Sequence, residues 1–129
     1  MSAQETAAFM GRLIEAWQQY QEGDRIHPLI AMAAMNLDFL CIHPFRDGNG
    51  GVSRVLLLLL CSHLGYEVGR YVSLERLIEE NKERYHETLD QSSQGWREGK
   101  HDHWPHINFI LLILKSAYRG LEEMESNLL

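Results

Sequence analysis

Apolar residues recur along this chain at the spacing of helices, and no stretch alternates at the period of a strand for long enough to predict a sheet. Over residues 7–20 they fall three and four positions apart, which predicts an amphipathic first helix that ends at Glu22-Gly23-Asp24. Residues 26–41 carry apolar side chains on two faces, which predicts a largely buried second helix.

Five consecutive leucines, residues 56–60, stand in the middle of the chain. They leave no polar stripe on the helix predicted over residues 52–64, so we expect other helices to surround it. Gly65 is placed to end this helix, because glycine readily adopts the left-handed conformation of a helix C-terminus.

The C-terminal half of the chain predicts three more helices. They start at Ser73, cover residues 81–92 and start again at Trp104, and a charged tail beyond Gly120 is expected to fray or run out into solvent. Together with the first three, they predict an all-α bundle of about six helices around a buried central helix.

The segment before the leucine run, from Ile42 to Arg54, reads IHPFRDGNGGVSR. Gly48, Gly50 and Gly51 suit a sharply turning loop, because a glycine inside a helix costs about 1 kcal/mol relative to alanine. Where such a loop enters a helix, unpaired backbone N–H groups and the helix dipole attract anions. We therefore expect an anion site at the start of the third helix.

Three side chains of this segment complement an anion site. Asp47 offers a hard oxygen to Mg²⁺, Arg54 adds a cation, and His43 can accept a proton near neutral pH. The segment therefore predicts a phosphate-and-metal site with its own base. A P-loop is excluded, because Gly51 and Val52 stand where that motif needs lysine followed by serine or threonine.

These residues resemble the signature of the Fic family, H-x-F-x-D/E-G-N-G-R-x-x-R. Residues 43–50 and Ser53-Arg54 match every fixed position but one, because Gly51 stands where the family has its first arginine. The stretches HPLIAMAAMNLDFL, GRYVSLERLIEENKERYHETL and WPHINFILLIL also resemble Fic sequences. The resemblance covers about residues 8–120 and implies a Fic-fold bundle with the active loop at the N-terminus of the central helix.

The resemblance also implies a role for each residue of the motif. His43 would deprotonate a target hydroxyl, Asp47 would hold a Mg²⁺ ion that bridges the nucleotide phosphates, and Arg54 would hold the terminal phosphate. Phe45 would anchor the loop on the core. The other implied nucleotide-binding residues are Gly48, Asn49, Gly50, Gly51, Asn81 and Tyr85.

For four of these residues a structural role remains open. Asp47 could cap the helix that follows it, and Arg54 could pair with a surface carboxylate. Asn81 and Tyr85 could equally be a helix cap and a core tyrosine.

The resemblance implies an enzyme, a protein adenylyltransferase that moves AMP from ATP and Mg²⁺ onto a Ser, Thr or Tyr hydroxyl of a protein. An alternative is a Fic-fold nucleotide-binding or regulatory module with weak catalysis, because Gly51 replaces the motif arginine. A further alternative keeps the enzyme class and changes the nucleotide or the transferred group.

Residues 1–129 are expected to form one Fic-type catalytic core that lacks two family parts. These are the flap before the first helix and the inhibitory helix with the motif S/T-x-x-x-E-G/N. A protein substrate is the expected partner, a separate inhibitory protein would replace the missing helix, and a homodimer is compatible with the resemblance.

The amino-acid composition narrows the class of protein and its partners further. Of 129 residues 45% are hydrophobic and 23% charged, as in globular domains, and the net charge of −6 argues against a nucleic-acid partner. Cys41 and Cys61 lie in apolar context and are expected to pack as small hydrophobic residues. No segment predicts a signal peptide or a bilayer-spanning helix, so we expect a cytoplasmic protein without a membrane partner.

His101, His103 and His106 form a histidine-rich group near the start of the last helix. No cysteine or acidic residue stands at the right ligand spacing beside them, so we expect a polar surface turn rather than a metal site.

Overall fold

The computed structural model describes residues 2–23 and 25–128, and these residues form six α-helices and no strand. The helices are α1 (Ala3–Glu22), α2 (Pro28–Ile42), α3 (Asn49–His63), α4 (Leu74–Glu80), α5 (Lys82–Ser93) and α6 (Trp104–Leu128). One turn of 3-10 helix, Glu67–Arg70, lies between α3 and α4. The predicted all-α class is confirmed. No helix within the described ranges combines the length and the apolar character needed to cross a bilayer.

Helix α2 lies at the centre of the bundle, where it contacts α1, α3, α5 and α6. Met32 and Ala33 belong to the main core, whereas Phe39 and Ile42 belong to a second cluster with Leu13 of α1. Burial on two sides is what the two apolar faces of residues 26–41 predict, and that prediction is confirmed.

Helix α3 is not surrounded by other helices, so that part of the prediction is wrong. Leu57 and Cys61 are buried, but Val55, Leu58 and Leu59 are 57%, 40% and 62% exposed. The helix packs mainly against α2 and the 3-10 turn, and these two neighbours cannot cover it on every side. The buried centre of the bundle is therefore α2, and α3 lies beside it.

Helix α6 forms the other side of the main core. Its buried residues are His106, Ile107, Phe109, Ile110, Ile113, Leu114 and Ala117. The helix continues through Gly120 to Leu128, so over these residues the charged tail does not fray but runs out into solvent, the second of the two expected alternatives. Most tail side chains are exposed, and good helix formers such as leucine, glutamate and methionine favour the continuation.

The first helix starts earlier than predicted because Ser2 and Glu5 form a capping box. The N–H of Glu5 donates to Ser2 Oγ over 3.1 Å, and the N–H of Ser2 donates to Glu5 Oε2 over 3.3 Å. The helix ends at Glu22, as predicted, with Gly23 as its C-cap. Asp24, the last residue of the predicted stop, lies outside the described residues.

Gly65 ends α3, as predicted. It has a φ of +94°, and its N–H donates to the carbonyl of Ser62 over 3.0 Å. The N–H of Tyr66 donates to the carbonyl of Cys61 over 2.8 Å. This pair of bonds is a Schellman motif, which satisfies carbonyls that the end of a helix leaves free.

Candidate active site

The loop that carries the motif, residues 43–48, connects α2 to α3. His43 is the C-cap of α2 in the left-handed conformation, with φ 55° and ψ 59°, and its N–H donates to the carbonyl of Phe39 over 3.1 Å. Among the described residues it alone combines a positive φ with a Cβ. That conformation costs roughly 1–2 kcal/mol, a kind of strain that clusters at functional sites. The His43 side chain is exposed to solvent.

Asn49, the first residue of α3, fixes the shape of this loop. Its side chain is buried, with Nδ2 donating to the carbonyl of Phe45 over 2.7 Å and Oδ1 accepting from the N–H of Phe45 over 3.0 Å. Both polar ends of the side chain are therefore used within the protein. The side chain is therefore engaged by Phe45, and a phosphate contact through the backbone N–H of Asn49 stays a prediction.

Helix α3 starts at Asn49 rather than at the predicted Val52, so Gly50 and Gly51 lie in its first turn and not in the loop. Gly48 is the N-cap, with a φ of +79° that glycine tolerates, and it offers no side chain to the helix. The first backbone bond of the helix joins Val52 N to Gly48 O over 2.9 Å. No side chain caps the N–H groups of the three residues between them, which leaves these groups available to an anion.

The guanidinium of Arg54 lies against this first turn. A Cβ at Gly50 would stand 3.2 Å from Arg54 Nη1, so the missing side chain makes room for the cation. Arg54 Nε also donates to Glu75 Oε1 over 3.3 Å, which is the surface pairing that the sequence left open. The two side chains are 31% and 71% exposed, so the pair contributes only about 0–1 kcal/mol and an incoming phosphate could replace the carboxylate.

Gly51, which stands where the Fic motif has an arginine, has free space beside its Cα. A Cβ at Gly51 would meet no atom within 4 Å, and residue 51 lies within α3, where side chains are tolerated. The start of a side chain at this position would therefore meet no neighbour.

Asp47 is exposed, and no hydrogen bond or ion pair engages its carboxylate among residues 2–23 and 25–128. It does not cap α3, because the N-cap is Gly48 and no side chain donates or accepts there. A free carboxylate beside an uncapped helix start fits Mg²⁺, which proteins commonly hold through one or two carboxylates together with substrate phosphates.

Phe45 is less buried than its predicted role as an anchor requires. Its ring is 51% exposed and touches the core at Phe39, with ring centroids 6.5 Å apart. The loop is held instead through the backbone of Phe45, by the two bonds from Asn49.

Tyr85 is a core residue, and its predicted contact with the nucleotide is not supported. Its ring is 5% exposed and packs against Phe109 and His106, with centroid distances of 5.6 and 6.3 Å. Asn81 is the C-cap of α4, and its Nδ2 donates to the carbonyl of Leu77 over 2.8 Å. The structural roles that the sequence left open are the ones that these two residues fill.

A buried polar chain that the sequence analysis missed supports the first turn of α3. Ser53 Oγ donates to the carbonyl of Gly50 over 2.7 Å, and Asn36 Nδ2 donates to the carbonyl of Ser53 over 3.1 Å. His106 lies 2.8 Å from Asn36 Oδ1, and its N–H donates to Ser92 Oγ over 3.0 Å. His106 is thus not on a surface turn, and isolated polar residues on apolar helices were the signal that could have revealed this chain.

The cysteines pack as predicted and offer no reactive thiolate. Both are free. Burial raises the pKa of Cys61 to about 11, and burial together with the charge of Asp38 raises the pKa of Cys41 to about 12. Nucleophilic chemistry at neutral pH is therefore not expected from either residue.

Residues 1–61 match the family model described as the Fic/DOC family. The predicted resemblance to the Fic family is confirmed over this part of the chain. The matched part contains α1, α2, the whole loop and most of α3, so it includes every residue of the Fic motif.

Relatives described as protein adenylyltransferase Fic also align with the chain. Those of Culex quinquefasciatus and Aedes aegypti are 28% identical over 96 residues, which is 74% of this chain and 17% of theirs. That of Drosophila grimshawi is 34% identical over 59 residues, which is 46% of this chain and 12% of its own. The chain thus spans less than a fifth of the length of these curated relatives.

Proposed function

We propose that this chain is the catalytic core of a Fic-type protein adenylyltransferase, which transfers AMP from ATP to a hydroxyl side chain of a protein. The observation that carries the proposal is the uncapped start of α3, where free N–H groups of the first turn and the Arg54 guanidinium follow a loop that bears His43 and Asp47. The names of the relatives support the same reaction class.

The nucleotide phosphates are the natural ligand of this helix start. The N–H groups of the first turn would donate to phosphate oxygens, and Arg54 would exchange its weak bond with Glu75 for a stronger charge-assisted bond. Asp47 would hold Mg²⁺, which neutralises charge on the phosphate oxygens when it is bound.

His43 would serve as the base. The oxygen of the target hydroxyl forms a bond to the α-phosphorus, the bond from that phosphorus to the bridging oxygen breaks, and pyrophosphate leaves with the electron pair. The hydroxyl proton passes to the His43 imidazole. Exposure of His43 suits this role, because the hydroxyl belongs to a second protein that must reach it from outside.

One observation favours the second candidate, a nucleotide-binding module with weak catalysis. Gly51 brings no cation to the first turn, and a Cβ at this position would have no neighbour within 4 Å. A charge-assisted hydrogen bond contributes roughly 1.5–3 kcal/mol, so its loss would slow the reaction without removing the base or the carboxylate.

Labelled nucleotides test the proposal. The full chain is incubated with Mg²⁺ and with ATP, CTP, GTP or UTP labelled at the α- or γ-phosphorus, alone and with cell proteins, and protein-linked label is counted. We expect label from α-labelled ATP and none from γ-labelled ATP. His43→Ala should abolish the label, whereas His63→Ala, an exposed histidine at the other end of α3, should keep it.

The other outcomes are equally informative. Nucleotide binding without any label would favour the binding module. Label from the γ-phosphorus would show that phosphate is the transferred group. A chain that neither binds nor transfers any of the four nucleotides would overturn the proposal.

A further inference from the structure

A second cluster of chemistry-bearing side chains lies outside the motif loop. Asp38 of α2 meets His101 and His103 from the segment between α5 and α6, and the ligand atoms that they offer all lie within 4.8 Å of one another. We propose that these three side chains bind a divalent transition-metal ion such as Zn²⁺, with a water molecule completing the coordination. Asp38 is the acidic partner that sequence spacing did not reveal.

The two imidazoles converge at the spacing of neighbouring ligands. Their Nε2 atoms are 2.9 Å apart, with the ring planes at 61°. Two ligands at 2.0–2.1 Å from a tetrahedral zinc ion stand roughly 3.3 Å apart, so a small opening of the pair admits the ion. Residues 101 and 103 lie two apart in a non-helical segment, which allows both side chains to face the same side. The side chain of Asp102, which lies between them, instead accepts a hydrogen bond at Oδ1 from the N–H of Trp104 over 3.0 Å.

The carboxylate of Asp38 is oriented by a neighbouring indole. Trp96 Nε1 donates to Asp38 Oδ1 over 2.9 Å, which fixes the carboxylate and leaves its other oxygen for a ligand. Such outer contacts are typical of metal sites, where they orient the groups that bind the ion. A tight turn closed by the bond from Lys100 N to Gly95 O, 2.9 Å long, brings the histidine segment back toward α2.

A hydrogen bond between the two imidazoles is the competing explanation of this cluster. That bond engages only the Nε2 atoms of the two rings and does not involve the carboxylate of Asp38. It also gives no reason for an oriented carboxylate beside both rings. A metal ion would engage all three side chains at once.

The ligand set selects the class of ion. Imidazole nitrogen suits zinc, nickel, copper and iron, whereas magnesium and calcium prefer sites built from oxygen. The site is therefore chemically distinct from the Mg²⁺ site proposed at Asp47. Its bound ion would tie the segment before α6 to α2, the helix that ends at His43.

Metal titration of the chelator-treated full chain tests the site. We expect one equivalent of Zn²⁺ to bind by calorimetry and to raise the melting temperature, and Co²⁺ to give visible absorption bands of nitrogen and oxygen coordination. His101→Gln, His103→Gln and Asp38→Asn should each weaken Zn²⁺ binding ~100-fold or more. Trp96→Phe should weaken it by roughly 10–100-fold, as loss of an outer contact does.

Matched controls separate this site from other histidines and from the motif loop. His86→Gln, at an exposed position of α5, and Asp47→Asn should bind Zn²⁺ as the unmodified chain does. Far-UV circular dichroism checks that each variant remains helical, and any one ligand variant that folds is sufficient for the comparison. Equal Zn²⁺ affinity in the chain and its folded ligand variants, or no Zn²⁺ binding by the chain, would overturn the proposal.

Discussion

Asn36 and His106 share a buried hydrogen bond, with 2.8 Å between Asn36 Oδ1 and His106 Nε2. Because Asn36 Nδ2 already donates to the carbonyl of Ser53, its Oδ1 is the acceptor and His106 must donate from Nε2. The neutral ring then carries no proton on Nδ1, which has no hydrogen-bond partner among the described residues. Burial lowers the pKa of His106 to about 4, so the ring stays neutral in the folded protein.

Acidification should therefore destabilise the fold through His106. The unfolded histidine titrates near 6.5, so the unfolded state takes up a proton first as the pH falls. The contribution is fully present above pH 6.5 and is lost as the pH falls toward 4. A pKa difference of this size corresponds to about 3 kcal/mol. Urea unfolding at closely spaced pH values measures the free energy of unfolding over this range.

His106→Gln is the variant that isolates this effect. It should lower stability at neutral pH, because the buried contacts change, but flatten the dependence on pH. His86→Gln removes an exposed histidine and should leave the slope as it is. An unchanged slope in His106→Gln would show that other groups cause any acid destabilisation.

The apolar periodicity predicted the burial of α2, because a helix with apolar residues on two faces needs a neighbour against each face. The same argument failed for α3. Apolar residues such as Leu58 and Leu59 indicate that burial would be favourable, but they do not show that a neighbouring helix is present to bury them. Sequence spacing is also silent about contacts between distant residues. Asn36 and His106 are 70 positions apart, and nothing local to either residue points to the other.

In the motif loop, the resemblance predicted which residues lie together but not what each side chain does. Asn49 belongs to the motif, yet its polar ends are used by the backbone of Phe45. Gly50 and Gly51 suggested a loop because glycine disfavours helix interiors, but both lie in the first turn of α3. The absence of a side chain at Gly50 leaves space there for the guanidinium of Arg54.

The proposed catalytic role of His43 can be measured separately from the strain of its left-handed backbone conformation. His43→Ala and His43→Gly both remove the proton acceptor, so both should retain nucleotide affinity and lose label transfer. Only glycine relieves the left-handed conformation, so His43→Gly should be the more stable of the two by about 1 kcal/mol. Calorimetry, label transfer and thermal unfolding of the pair measure the three quantities. Transfer at the original rate by His43→Ala would exclude a catalytic role.

Asp47→Ala should remove the Mg²⁺ dependence of nucleotide binding while the melting temperature stays nearly unchanged. The carboxylate is exposed and unpaired within the described part of the chain, so its removal breaks no contact there. Nucleotide titrations with and without Mg²⁺ measure the effect, and Asp90→Ala on the exposed side of α5 serves as the matched control. If Mg²⁺ has no influence on affinity in either the chain or Asp47→Ala, the assignment of Asp47 fails.

Gly51→Arg distinguishes the enzyme from the binding module. The arginine would add a cation to the same helical turn as Arg54, at a position where its Cβ meets no neighbour, and a slowed enzyme should then gain at least ~10-fold in label transfer at saturating ATP. Gly51→Ala improves helix propensity without adding charge, so it should gain about 1 kcal/mol of stability and no activity. Tighter nucleotide binding by Gly51→Arg with transfer still at background would identify the module instead.

The two hydrogen bonds between the Asn49 side chain and the backbone of Phe45 hold the loop in shape without help from its exposed side chains. The loop is held by bonds to which the side chains of Arg46 and Asp47 do not contribute, and a Cβ at Gly51 would meet no neighbour within 4 Å. Substitutions at these positions should therefore be tolerated by the fold. Such a loop can accept changes one residue at a time, and Gly51 is one position at which this chain differs from the Fic motif.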